Sequence, residues 1–257
     1  MGYDSYDPSA VAILTTTFYR SMDELRFRLA CKTTCAAREA GHPVLLVDGS
    51  PDRSIRDAFT DLGAVVLAET DHGIGPSRRQ LFTVACQTSH PFFQWMEIEK
   101  TDYIRSIPLV AEPVALGLAN VATPRRKDLA SYPQFQALTE TTADLVYESY
   151  MGKGLRPMFG PVLFDREALP YFEECNPALK YGGHDTYIQH IAPMECRANG
   201  RRVMSVEVDF TYPPDQRAEE EGALNAEMIE KRLRQQLECV QNYILAGEAL
   251  GLRSPRL

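Results

Sequence analysis

The sequence predicts an α/β fold: a mostly parallel central sheet flanked by helices, with a C-terminal helix packed on the body. Three observations predict it. Short apolar, β-branched segments alternate with segments of helical periodicity, the loops between them are short, and a long helical pattern closes the chain. Because parallel sheets bind ligands beyond the carboxyl ends of their strands, the fold also predicts where a site would lie.

The composition is that of an ordinary soluble protein. The chain has 257 residues, 44% hydrophobic and 24% charged, and we interpret 1–257 as one domain. A net charge of −8 argues against a nucleic-acid partner. No apolar run approaches the roughly 20 residues of a membrane span, and the N-terminus has no signal-peptide pattern, which predicts a cytoplasmic protein. The six cysteines lack CxxC spacing, which indicates reduced structural thiols.

The first half repeats one pattern of strand followed by helix. "AVAILTTTF" is the first expected strand, and Ser21 with Glu24 predicts a capping box for the helix after it. "PVLLVDGS" is the second strand, and Ser50 before a proline predicts the next helix cap. "AVVLAET" is the third strand. A helix over about Ser77 to Ser89 then leads to a fourth strand, 92–98.

The second half is less regular but continues the alternation. "IPLVAEPVALG" predicts a helix, "LANVATP" a strand, and "YPQFQALTETTADLVYESY" a longer helix. "RPMFGPVLF" and "RRVMSVEVDFTY" are further strands. From Leu224 to Leu250 one apolar helix face is expected to pack along the body, with a homodimer contact as the alternative. The residues of that face are Met228, Ile229, Leu233, Leu237, Val240 and Ile244.

Polar side chains end three of the predicted strands. Thr15 and Thr17 end the first, Asp48 ends the second, and Glu97 and Glu99 end the fourth. On an extended strand the two glutamates share a face about 7 Å apart, so they need a cation, a ligand or open water. The alternative is a solvated strand end in which a following lysine pairs one glutamate. The convergence of three strand ends nevertheless predicts a binding site.

Four segments in this order also resemble a known family. "AILTTTF", "VLLVDGS", "GIGPSRRQ" and "MEIEKTD" are similar to the nucleotide-sugar-binding half of GT-A glycosyltransferases, especially family 2-like enzymes, over roughly residues 10–212. The resemblance implies the Rossmann-like GT-A fold, with 10–105 as the nucleotide-sugar-binding half, 106–212 as the acceptor half and 215–257 as a helical extension. "YPQFQALTE" and "GPVLFDREAL" also resemble acceptor segments of enzymes that build sugar glycerates.

The resemblance implies a role for each of the polar residues. Thr15 and Thr17 would line the nucleotide-sugar site, Asp48 would contact the base or ribose, and Arg78 would lie near the diphosphate. The acidic motif would engage the ribose through Glu97 and a Mg²⁺ or Mn²⁺ ion through Glu97 and Glu99. Glutamate in place of the usual aspartate moves each carboxylate by more than about 1 Å, which weakens a metal site without removing it. The alternatives are a turn at Asp48 and a surface ion pair at Arg78.

"YGGHD" is the other motif of interest. Gly182 and Gly183 allow backbone angles that could deliver His184 and Asp185 into a cleft. The resemblance implies that Asp185 is the general base that deprotonates the acceptor; the alternative is a helix N-cap. His184 and His190 are candidates for a third metal ligand.

The leading hypothesis is therefore a metal-assisted glycosyltransferase that moves a sugar from a nucleotide-diphosphate donor to a hydroxyl acceptor. A base at residue 185 favours inversion, whereas the sugar-glycerate likeness favours retention. One alternative is a sugar-phosphate nucleotidyltransferase, although the first loop lacks the glycine- and basic-rich sequence expected there. The other is a nucleotide-sugar-binding or scaffold module without turnover. No G-x-S-x-G, zinc or P-loop motif supports another enzyme class.

Overall fold

The protein is built on one central sheet. A computed structural model describes residues 7–222 and 225–252, and this part of the chain contains a seven-stranded sheet of order β3-β2-β1-β4-β6-β5-β7. β6 runs antiparallel to β4 and β5, and the other pairs are parallel, as the predicted mostly parallel sheet requires. The strands are β1 (Val11–Thr17), β2 (Val44–Asp48), β3 (Val65–Ala68), β4 (Phe92–Trp95), β5 (Val121–Arg126), β6 (Val162–Asp165) and β7 (Val203–Val208).

Helices cover both faces of the sheet. They are α1 (Leu25–Glu39), α2 (Arg53–Asp61), α3 (Ile74–Cys86), α4 (Ile107–Ala115), α5 (Gln134–Met151), α6 (Leu169–Glu173), α7 (Pro177–Tyr181), α8 (Ile188–Ala198), α9 (Pro214–Gly222) and α10 (Ala226–Ala249). Alternate residues of β1 enter two separate cores. Ala12 and Leu14 pack with α3, α5, α6, α8 and α10, whereas Val11 and Ile13 pack with α1, α2 and α4. The sheet is therefore buried on both faces, which explains its continuous apolar strands.

The C-terminal helix α10 packs on the body as predicted, but through a different face. Its buried residues include Cys239, Tyr243 and Ala246, and a Cβ at Gly247 would lie 2.3 Å from the Tyr150 ring. The absence of a side chain at Gly247 lets α10 approach Tyr150 of α5 closely. The predicted apolar face is wrong in part: Val240 packs against the core, but three of the six residues are exposed, Leu233, Leu237 and Ile244. Residues 223–224 and 253–257, including the predicted helix start at Leu224, lie outside the described chain.

Three helix starts also differ from the prediction. α1 begins at Leu25 with Glu24 as its N-cap, so Ser21 is not the cap. α2 is capped by Asp52, whose side chain accepts the Ser54 N–H, so Ser50 is not the cap. α3 begins at Ile74, and its first turn therefore includes Gly75. Within the described residues no helix has the length and apolarity to cross a membrane. All six cysteines carry free thiols.

Candidate functional site

The ends of β1 and β2 form a tight polar cluster. The two strands pair Thr17 directly with Asp48, which is fully buried. Asp48 Oδ1 accepts hydrogen bonds from Thr17 Oγ1 at 2.8 Å and from Ser50 Oγ at 2.6 Å. Arg56 lies 3.4 Å from Oδ2 and also donates to the Ser50 carbonyl at 2.8 Å. Thr15, two residues before Thr17 on β1, is also fully buried. The observed hydrogen bonds hold the ends of β1 and β2 together. The predicted contacts of Thr15, Thr17 and Asp48 with a nucleotide stay predictions.

The two acidic residues after β4 do not share a strand face. β4 ends at Trp95, opposite Val162, and the chain then turns at residues 98–99. Glu97 Oε2 accepts a hydrogen bond from Lys100 Nζ at 2.9 Å, the lysine pair of the alternative interpretation. Glu99 Oε1 instead accepts from Arg26 and Tyr19, which hold it against α1. Those distances are 2.6 Å to Arg26 Nη2 and 3.0 Å to Tyr19 Oη.

Glu97 and Lys100 are both charged in this pair. Burial opposes ionisation of Glu97, but the Lys100 ammonium and the Arg78 charge hold the pKa of Glu97 below its ordinary value. Burial likewise opposes the charge of Lys100, but Glu97 raises the pKa of Lys100. Gly160, with φ +101°, passes beneath the carboxylate, and a Cβ there would lie 2.4 Å from Glu97 Oε2. The glycine therefore makes room for this pair.

Both glutamates line a cavity of about 320 Å³, within the size range of small-molecule sites. Part of its wall comes from residues that sequence reasoning did not name individually, although those on α5 lie in the acceptor-like segment "YPQFQALTE". These lie on α5, on the segment between β7 and α9, and on α9 and α10: Gln136, Thr139, Glu140, Phe210, Tyr212, Gln216, Glu220, Lys231, Arg232, Gln235 and Gln236. The available signal was the clustering of polar residues at helical spacing, 136, 139 and 140 on α5 and 232, 235 and 236 on α10.

The donor atoms at this site do not fit the predicted Mg²⁺ or Mn²⁺ ion. Such an ion needs carboxylate oxygens that are free to bind it, whereas Glu97 and Glu99 are both engaged by cationic side chains. Within residues 7–222 and 225–252 no three His, Cys, Asp or Glu side chains are grouped to hold a metal ion. A divalent ion would have to compete with Lys100 and Arg26 for these carboxylates.

The two histidines proposed as a third ligand have other partners. His184 Nε2 lies 2.7 Å from Gln241 Oε1, at the surface. His190 is buried, and its Nδ1 lies 2.7 Å from the Tyr243 hydroxyl. Burial lowers the pKa of His190 to about 3, so its imidazole is neutral at ordinary pH.

Arg78 is the notable cation of the site. It lies in α3, its guanidinium stacks 4.8 Å from the centre of the Trp95 ring, and Nη1 donates to Gln189 Oε1 at 2.6 Å. Arg78 is 9% exposed, its Nε has no hydrogen-bond partner, and it forms no ion pair with any described residue. Burial lowers the pKa of Arg78, although nearby Glu97 partly opposes this. A buried cation without a counter-ion is costly, and a bound anion would relieve that cost.

Asp185 is held beside Arg78 by the next arginine. Arg79 donates from Nη1 and Nη2 to the two carboxylate oxygens of Asp185, at 2.6 and 2.7 Å. The carboxylate packs on Gly75, where a Cβ would lie 2.3 Å from it. The N-cap alternative is wrong, because α8 begins after Tyr187. Asp185 does not line the 320 Å³ cavity, and its predicted role as general base stays a prediction.

The comparisons with known proteins place the fold. No family model matches the chain, and no curated protein matches it by sequence. Solved structures do match. Glucosyl-3-phosphoglycerate synthase from Mycobacterium tuberculosis, in complex with Mn²⁺, UDP and phosphoglyceric acid, superposes with a TM-score of 0.53 over 90% of this chain and 78% of that chain, at 12% identity.

Two further structures agree. Another crystal structure of the same synthase gives a TM-score of 0.57 at 10% identity, covering 95% of this chain and 82% of that chain. A structure described as a mycobacterial protein gives 0.61 at 10% identity, covering 95% and 75%. This chain has the GT-A fold. The predicted fold class is confirmed, and at these identities the likeness extends to the fold alone.

Proposed function

We propose that this protein binds a nucleotide-diphosphate sugar and transfers the sugar to a hydroxyl acceptor. The observation that carries the proposal is Arg78, a buried arginine that forms no ion pair with any residue of the described chain. It lies on the helix between β3 and β4, beside the carboxyl ends of the parallel strands, where folds of this kind bind their ligands. The diphosphate of the donor would supply the missing negative charge. The fold shared with a synthase solved in complex with UDP supports the same assignment.

The cavity beside Arg78 is the proposed acceptor site. Residues on α9 and α10 line it, so the C-terminal extension would contribute to acceptor binding. This assignment follows the predicted division into a nucleotide-sugar half, an acceptor half and an extension. A cytoplasmic location and a homodimer contact stay predictions from the sequence.

The proposal assigns the cationic role to side chains and not to the predicted divalent ion. Arg78 and Lys100 flank Glu97, and Lys100 has ammonium protons left after its bond to that glutamate. Together they could offset the charge that develops on a departing nucleoside diphosphate. The Mn²⁺ named for the synthase complex belongs to that enzyme.

A nucleotide-sugar-binding module without turnover is the second candidate. The observation that favours it is the two-bonded ion pair of Asp185 with Arg79, which occupies both oxygens of the predicted base. Catalysis by Asp185 would require one of these bonds to open. Measuring product formation beside ligand binding separates the candidates, because a module would show binding without product.

The test is a thermal-shift screen with UDP, GDP, CDP and their common sugar conjugates, with Mn²⁺ and with a chelator. We expect one nucleotide to raise the melting temperature, because a ligand of the folded state stabilises it. The Arg78→Met variant should weaken nucleotide binding at least about tenfold. Arg53→Met, an exposed helix position, is the control and should bind normally. No shift with any nucleotide at millimolar concentration would contradict the proposal.

The same screen tests the role given to Lys100. We expect the shift to persist in the chelator and to shrink in Lys100→Gln. A shift that appears with Mn²⁺ and disappears in the chelator would instead restore the metal prediction, and would leave the nucleotide-sugar assignment intact.

A further inference from the structure

The charges that line the 320 Å³ cavity are balanced. Four basic and four acidic side chains contribute to its wall. Three of the basic residues form ion pairs with three of the acidic ones: Arg26 with Glu99, Lys100 with Glu97, and Arg232 with Glu220. The fourth carboxylate, Glu140, is paired with buried Arg126. The remaining cation, Lys231, is exposed.

The pairs on the α5 and α10 side are fixed by further hydrogen bonds. Arg232 Nη2 donates to Glu220 at 2.8 Å and to Gln136 Oε1 at 3.2 Å, and Nη1 reaches Gln235 at 3.4 Å. Gln136 Nε2 in turn donates to Glu140 at 2.7 Å. Arg232 is thus surrounded by acceptors of its own protein. An anionic ligand bound at Arg232, on this side of the cavity, would have to break these bonds and would meet carboxylates whose cations are already engaged, which is unfavourable.

The rest of the wall is suited to hydroxyl groups. Five glutamine side chains line the cavity, and an amide can both donate and accept, which matches the two-way hydrogen bonding of a hydroxyl. The oxygens of Gln136, Gln189 and Gln235 already accept from arginines, so their remaining N–H groups and the amides of Gln216 and Gln236 are the groups that a hydroxyl would bind. Aromatic residues supply apolar faces against which the C–H groups of a sugar ring can pack, and among them are Tyr132, Phe210 and Tyr212.

We propose that this cavity binds a neutral, polyhydroxylated molecule, a sugar or polyol, and discriminates against phosphorylated or carboxylated ones. The proposal deepens the proposed function, because such a ligand would be the hydroxyl acceptor. It also separates this protein from the structurally similar synthase, whose complex contains phosphoglyceric acid. The discrimination comes from the engaged carboxylates, and the affinity comes from the amides and aromatic faces.

The test is calorimetric titration of the full chain with glucose, mannose, trehalose and glycerol, and with 3-phosphoglycerate as the anionic probe, each with and without a nucleoside diphosphate. We expect at least one neutral compound to bind at least about tenfold more tightly than 3-phosphoglycerate. Tighter binding of 3-phosphoglycerate than of every neutral compound, or no binding of any neutral compound, would overturn the proposal.

A matched pair of variants identifies the source of the discrimination. Glu220→Gln releases Arg232 within the cavity and should raise the affinity for 3-phosphoglycerate about fivefold or more. Glu230→Gln removes a carboxylate from Arg234 on an exposed part of α10 and should leave that affinity unchanged. An equal response of the two variants would contradict the assigned role of Glu220. Neutral binding without any nucleotide binding would defeat the proposed transfer and leave the cavity assignment standing.

Discussion

Two buried arginines stand in very different surroundings. Arg78, between β3 and β4, and Arg126, at the end of β5, are each 9% exposed. Each stacks on an aromatic ring, at 4.8 Å from Trp95 and 4.3 Å from Tyr132. Arg126 forms an ion pair with Glu140, whereas Arg78 meets the neutral amide of Gln189.

The pKa values of the two arginines shift in opposite directions because Arg126 is paired with a carboxylate and Arg78 is not. Burial opposes the charge of both arginines, but Glu140 raises the pKa of Arg126, whereas burial lowers the pKa of Arg78. The two arginines are thus equally buried and both stack on aromatic rings, and they differ in the ion pair that Arg126 forms. Arg126 forms an ion pair with Glu140 and belongs to the scaffold, whereas Arg78 forms no ion pair with a described residue, which is the basis of its proposed role in ligand binding.

The largest effect on stability is expected from replacing the paired arginine, Arg126. Arg126→Met leaves Glu140 buried without its cation and should lower the free energy of unfolding by about 3–5 kcal/mol, measured by urea denaturation. The double variant Arg126→Met/Glu140→Leu should recover much of this loss, because it leaves no uncompensated charge. A single variant as stable as the native protein would show that the pair is not structural.

A pH titration of stability tests a second buried ionisable group near Arg126. Asp144 lies near Arg126, and burial raises the pKa of Asp144 to about 7, from about 4 in the unfolded chain. The folded state therefore holds the proton longer, so this residue's contribution to stability is complete below about pH 4 and falls as the pH rises to 7. Relative to Asp144→Asn, the native protein should lose up to about 4 kcal/mol over that range. A constant difference between the two unfolding curves would refute the raised pKa.

The unpaired arginine should contribute little to stability. Arg78→Met keeps an apolar chain on Trp95 and removes a charge that has no counter-ion in the described residues, so the free energy of unfolding should change by less than about 1 kcal/mol in either direction. Urea denaturation of the ligand-free protein measures this. A loss as large as that of Arg126→Met would mean that Arg78 is a scaffold residue, and the comparison would fail.

The smallest effect on stability is expected at an exposed ion pair, which serves as a reference for the buried one. Glu230 and Arg234 form an exposed pair on α10, with side chains 70% and 67% exposed. Glu230→Gln should cost at most about 0.5 kcal/mol, because solvent screens the pair. A larger cost would show that exposed pairs also contribute here, and would weaken the contrast between Arg78 and Arg126.

Much of the fold could be predicted because its signals are local. The alternation of strand and helix required a mostly parallel sheet, and that sheet placed Thr17 opposite Asp48. It also placed Arg78 and Glu97 within electrostatic reach of each other at the same edge. Boundaries were less accurate: extending the fourth strand past Trp95 gave Glu97 and Glu99 a common face that they do not have.

The sequence by itself determined the fold class and the edge where the polar residues gather. The pair of Lys100 with Glu97 was one of the alternatives that the sequence offered, but the more distant partners depend on the tertiary structure. Arg26 binds Glu99, and Arg232 reaches Gln136 across 96 residues of sequence. Periodicity fixes which face of an element is apolar, but the partner of a polar side chain depends on which elements pack together and how closely. The lack of an ion pair for Arg78 among the described residues follows from that packing, and so do the ion pairs in the wall of the cavity.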